Sequence, residues 1–218
     1  MSRKLAEKRD RREAQKRRQE GERRAVRRRN LITTGIAVVV LAGAVGLIIA
    51  ERTRESAPVG VAASEASCEP IQTYKRQQGS HIEDGATHPP YNSTPPTSGP
   101  HYVDPAPAGF YPAPLRPEQL VHNLEHGQIV FWYRPDASEE TITAIEAVID
   151  REPLAQRNAL LAAPYDEIPA SDSFILTAWG ASQSCDRVSQ EVVDKFRARY
   201  QGLGPERIQG IPPFTPGT

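Results

Sequence analysis

The chain has 218 residues, with 27 Lys and Arg against 27 Asp and Glu, and 38% of its residues are hydrophobic. That balance excludes a wholly disordered or collagen-like protein, and two cysteines are too few for a disulfide-scaffold domain. The zero net charge hides two opposed halves: residues 1–30 hold 14 basic and 5 acidic side chains, so a tail of +9 is offset by −9 in the remainder.

The tail mixes its acids among its bases and has no aromatic residue on which a base could stack, so no nucleic-acid partner is expected. Next comes LITTGIAVVVLAGAVGLIIA, Leu31–Ala50, 20 residues without a charge. At 1.5 Å per residue it matches the ~30 Å hydrocarbon thickness of a bilayer, which predicts a transmembrane helix. A cleaved signal peptide is a poorer fit, since its apolar region is ~7–15 residues and the basic part here already fills a signal's usual length. The reading is an uncleaved, single-pass signal anchor. Its basic tail lies in the cytoplasm and contacts membrane lipid, and its C-terminal domain lies outside the cytoplasm at the cell membrane. Residues 51–67, short of large apolar groups, read as a linker, and residues 68–218 as one extracytoplasmic domain. In an oxidising compartment the only cysteines, Cys68 and Cys185, are expected to pair.

Ten of the 20 prolines fall in His88–Pro117. Proline fixes φ and lacks an N–H, so neither a helix nor a central strand is expected there. Tyr91, Tyr102, Phe110 and Tyr111 argue against a disordered tract, which predicts a long ordered loop packing its rings on the core. PEQLVHNLEH, between Pro117 and Gly127, reads as a helix, and residues 128–134, QIVFWYR, as a buried strand. Ser138 is positioned to cap a helix over Glu139–Arg151, with Ile142, Ile145 and Ile149 at helical spacing. Ala159–Ala163 and Phe174–Trp179 read as an antiparallel strand pair. Asp186–Tyr200 reads as a helix with Val188, Val192, Phe196 and Tyr200 on one face. The predicted class is α+β: an N-terminal transmembrane helix, then one small domain with a mixed β-sheet covered by helices and a long Pro-rich ordered loop.

All five histidines lie within 46 residues: His81, His88, His101, His122 and His126. In HNLEH, a helix stacks His122 over His126 with Glu125 beside them, while Leu120, Val121 and Leu124 take another sector. Imidazoles converging from several segments suit a divalent ion. With the cysteines oxidised and the only methionine at position 1, zinc or copper(II) fits better than copper(I). H-x-x-E-H is also the pattern of a zinc-dependent hydrolase in which Glu125 would activate water, but a five-residue match carries little on its own. The bland alternative is a non-catalytic, membrane-anchored interaction domain whose histidines brace backbone. The two differ in geometry: a shared ion needs imidazole nitrogens about 3–3.5 Å apart across one centre, whereas bracing histidines each point at a carbonyl or carboxylate.

PPTSGPHY (95–102), LVHNLEHGQIVFWY (120–133) and ILTAWG (175–180) resemble the bacterial family called domain of unknown function 3105. The resemblance covers about Cys68–Pro205, including Gly79–His81. It implies a short tail, one anchor and an exported domain, and it implies no activity. It also implies motif histidines at His81, His101, His122 and His126, with Glu125, and leaves His88 outside. The expected metal ligands are therefore His81, His101, His122 and His126, with His88 as a spare. A binding module rather than an enzyme is expected.

Overall fold

The computed structural model describes residues 40–46, 57–153, 155–208 and 210–216. The chain divides into two compact units, Met1–Ala57 and Pro58–Thr218. In the first, the described residues are 40–46, a helix (α1) with exposed side chains, and Ala57.

The expected transmembrane helix over Leu31–Ala50 is corrected here. Among the described residues no helix is long and apolar enough to cross a membrane. Residues 40–46 are the part of the expected span that is described, and they are helical. The rest of the expected span, the basic tail 1–30 and residues 51–56 lie outside the described residues. With the anchor fall the single-pass membrane localisation, the extracytoplasmic placement and the lipid partner, which all rested on it.

In the second unit the α+β expectation holds. A six-stranded sheet runs in the order β1 (Gln72–Thr73), β8 (Ala181–Cys185), β7 (Phe174–Ala178), β5 (Ile129–Tyr133), β6 (Leu160–Pro164), β4 (Gly109–Phe110). It is mixed: β5 pairs parallel with β6 and antiparallel with β7. The expected antiparallel pairing of Ala159–Ala163 with Phe174–Trp179 is therefore wrong, because β5 lies between those strands. A separate parallel ribbon joins β2 (Ser80–Ile82) to β3 (Pro100–Tyr102). The helices are α2 (Pro117–Glu125), α3 (Glu139–Asp150) and α4 (Gln190–Tyr200).

Local chemistry explains the boundaries. Pro117 occupies the first turn of α2, where its missing N–H costs nothing, and Gly127 follows the C-cap at φ +87°. A Cβ on Gly127 would meet Gly202 Cα at 2.8 Å, so both the turn and the close approach require glycine. The Ser138 hydroxyl accepts from Thr141 N–H at 3.2 Å and caps α3.

Side-chain alternation along β5 feeds two cores. Ile129, Phe131 and Tyr133 join Ile145 and Val148 of α3 and Val193 and Phe196 of α4 on one face. Val130 and Trp132 join Leu120, Val121 and Leu124 of α2 on the other, where Tyr91, Ala106 and Tyr111 of the proline-rich loop pack beside them. That loop is ordered, as expected, and its only strands, β3 and β4, sit in the ribbon and at the sheet edge, where proline is tolerated.

Cys68 and Cys185 are disulfide-bonded across 117 residues, a closure worth about 5 kcal/mol in the chain-entropy account. The folded unit also takes in residues 58–67: Val59 and Ala66 are buried, and Val61 N–H donates to the Val188 carbonyl at 2.9 Å.

Candidate metal centre

Leu120, Val121 and Leu124, all fully buried, fasten α2 to the sheet at about 1.5–3 kcal/mol each. Asn123 adds a polar lock, exchanging hydrogen bonds with the Ala106 backbone at 3.1 and 2.8 Å. The helix thereby presents His122, Glu125 and His126 away from the sheet, toward the β2–β3 ribbon. That ribbon pairs His81 directly with His101. Its loop is held by the Tyr91 hydroxyl donating to the Pro100 carbonyl at 2.6 Å and by Gln77 N–H donating to Ser98 Oγ at 2.9 Å.

The imidazoles of His81, His101 and His122 form a nearly equilateral triangle, with ring centroids 5.0, 5.0 and 4.9 Å apart. One ligand atom from each, with a Glu125 carboxylate oxygen, lies within 4.8 Å of all the others. The tautomers of two rings are fixed. His101 Nδ1 donates to the Gly99 carbonyl at 2.8 Å and His122 Nδ1 to the Tyr102 carbonyl at 2.6 Å. A carbonyl only accepts, so each Nδ1 carries the proton and each Nε2 offers a lone pair, the arrangement that orients metal-binding histidines.

His101 Nε2 then faces Glu125 Oε2 at 2.8 Å, yet it is buried without a well-directed hydrogen bond. Two electron-rich atoms at that separation repel unless positive charge lies between or beside them, which either a proton or a divalent ion supplies. Gly79 makes the room: a Cβ there would run into Glu125 Oε1 and stand 3.3 Å from His101 Cε1. This His/Glu cluster can coordinate a divalent metal.

His126, the C-cap of α2, falls in a second group. Its Nε2 lies 3.0 Å from His122 Nε2 and 3.6 Å from Glu206 Oε2, and the three residues again bring ligand atoms within 4.8 Å. Glu206 arrives on the segment that follows α4. Gly202 N–H donates to the Gly127 carbonyl at 2.8 Å and Glu206 N–H to the Glu125 carbonyl at 3.1 Å, so this strap is sewn to the end of α2. Burial pushes the His122 imidazole below its usual range, aided by neighbouring His101 and His81 and opposed by the hydrogen bond to Tyr102. Burial does the same to His126, aided by His122 and opposed by Glu206. Depressed values keep both rings neutral, as ligation requires.

Of the four histidines expected as ligands, three are brought together with Glu125, while His126 is placed beside them with Glu206. His88 stands apart, tilted against Tyr91 with ring centroids 4.8 Å apart, and 3.5 Å from Glu118. Nothing in the sequence singled out Glu206 from other downstream glutamates, because irregular chain carries no periodic signal. Gly79 was visible only as a motif glycine, and the acceptor carbonyls of Gly99 and Tyr102 have no side-chain signature. With both cysteines in the disulfide, no thiolate is available to the cluster.

A family profile described as "Protein of unknown function (DUF3105)" matches residues 81–210, more than half of the chain and the whole stretch from His81 to Glu206. No curated protein and no solved structure matches the chain significantly.

Proposed function

The chain belongs to the DUF3105 family, whose description assigns no activity, and on the geometry of its site we propose that residues 58–218 form a divalent metal-binding domain. Zinc(II) is the ion, and His81, His101, His122 and Glu125 are its ligands. The observation that carries this reading is the convergence of three imidazoles and the Glu125 carboxylate, whose ligand atoms lie within 4.8 Å of one another, with the His101 and His122 Nδ1 protons committed to carbonyls. A purely bracing role accounts for the Nδ1 bonds, the His101–Glu125 contact and the His122–His126 hydrogen bond, but does not call for a third imidazole, His81, with its ring centroid 5.0 Å from those of both His101 and His122.

Three imidazoles and a carboxylate suit tetrahedral zinc, with metal–nitrogen bonds of ~2.0–2.1 Å. The three rings come from three segments and do not share a plane, being mutually tilted by 86°, 39° and 46°. Copper(II) favours a tetragonal set and fits it less well. His81, the exposed member, has the freedom to close on the ion. Glu125 is itself in coordinating reach, whereas a hydrolase needs its glutamate beside a metal-bound water. Binding is therefore the better reading of HNLEH.

The test is equilibrium dialysis of the full chain, stripped with chelator, against micromolar zinc. One equivalent should be retained; it should be lost in His122→Ala and held more weakly in His101→Ala, with the circular dichroism spectrum preserved in both. Failure of the parent chain to retain zinc, or equal retention by the variants, refutes the proposal.

A further inference from the structure

The two ligand groups share one residue, and that residue has a single nitrogen to give. His122 Nδ1 is committed to the Tyr102 carbonyl, so only Nε2 can bind metal. It lies both in the group with His81, His101 and Glu125 and in the group with His126 and Glu206. We infer that the bound ion has two alternate positions pivoting on His122: an inner one closed by His81, His101 and Glu125, and an outer one closed by His126 and Glu206. The inference rests on the metal-binding reading above.

The separation of His122 Nε2 from His126 Nε2, 3.0 Å, is close to the ~3.3–3.4 Å edge of a zinc tetrahedron. His126 and His122 can thus hold one ion between them. His126 does not belong to the inner group, whose atoms all lie within 4.8 Å of one another. For opposite ligands of one ion the limit is about 4.2 Å, twice the metal–nitrogen bond length. Capture by His126 and Glu206 therefore means release by members of the inner set, with His122 bound throughout. The exchange is a ligand substitution: no proton leaves His122, and the charge of the ion is unchanged.

Exposure gives the exchange a direction. The side chains of His101 and Glu125 are 1% and 10% exposed, against 12% and 52% for His126 and Glu206, and His81 is the single exposed member of the inner set. The inner position has four ligands and the outer three, one of them a solvent-facing carboxylate. The outer position suits receiving or surrendering an ion, and the inner one holding it. A divalent transition metal ion that passes between this domain and an external donor or acceptor would cross at Glu206.

Cobalt(II) reports on this directly, because its visible spectrum changes with its ligands while its coordination preferences resemble those of zinc. The full chain should bind one equivalent. His101→Ala should still bind one equivalent, more weakly and with a shifted spectrum, and adding Glu206→Gln should abolish that residual binding. His81→Ala, at an exposed strand position, provides a second background should His101→Ala fail to fold. Two equivalents in the parent chain would overturn the inference. So would no cobalt bound by either folded single variant, or residual binding indifferent to Glu206→Gln. A parent chain that binds no cobalt instead removes the metal site itself.

Discussion

Gly79→Ala perturbs the centre without touching a ligand. Gly79 is not among the residues with positive φ, so its backbone accepts alanine, and relief of unfolded-chain entropy contributes about 0.4–1 kcal/mol in favour of the fold. The new methyl group, however, runs into Glu125 Oε1 and sits 3.4 Å from Glu125 Cδ and 3.3 Å from His101 Cε1. The strand is paired and His101 is buried, so the carboxylate must swing away, and with it goes the oxygen that faces His101 Nε2 at 2.8 Å. Displacing a group that orients or supplies a metal site weakens affinity by about 10–100-fold, or about 1.4–2.8 kcal/mol. Competition with a chromophoric chelator measures the loss, and chemical denaturation of the metal-free protein should show unchanged or raised stability. Zinc affinity within about twofold of the parent, with the fold intact, would show that Glu125 plays no part in binding.

Two further outcomes follow from the same structure. In the metal-free protein His122 and His126 sit below the ordinary imidazole range. As pH falls through ~6.5 the unfolded chain takes up protons that the folded chain refuses, so stability rises with pH across that window and levels off above it. Urea midpoints between pH 5 and 7 should therefore fall less steeply on acidification in His122→Gln/His126→Gln than in the parent, and parallel curves would refute this. Elsewhere, Arg197 donates to both oxygens of Glu152 at 2.6 and 2.7 Å with both side chains buried. Arg197→Ala strands that carboxylate and should cost about 3–5 kcal/mol in a denaturation experiment, where a loss below about 1 kcal/mol would contradict it.

The sequence was most readable where one residue type has one physical use. Pro117 and Gly127 bracket α2, the Ser138 hydroxyl caps α3, and Val192 and Phe196 line one face of α4, as helical spacing requires. The strands were harder. β1, β2 and β4 are two or three residues long and mostly exposed, so they carry no alternation, and β8, ASQSC, is too polar to announce a strand. Pairing of β6 with β5 rather than β7 is a long-range choice that local pattern does not encode. Leu31–Ala50 misled for a simpler reason. Apolar length was matched to bilayer thickness, and no described helix reaches that length. In the metal centre the histidines were legible as a cluster, but their division into two groups depends on which carbonyls and carboxylates meet them. A linear reading does not contain that information.

The strap after α4 gives the site an order of assembly. All of the inner ligands precede β5 in the chain and Glu206 follows α4, so a chain emerging from the ribosome makes the inner set long before the residue that closes the outer one. The strap's fastening comes later still. The Gln201 amide donates to the Pro212 carbonyl at 2.8 Å, and the Arg197 guanidinium lies 3.8 Å over the Phe214 ring. A chain trimmed by a protease beyond Tyr200 would keep every inner ligand and the sheet that positions α2, and lack the carboxylate through which an ion is exchanged.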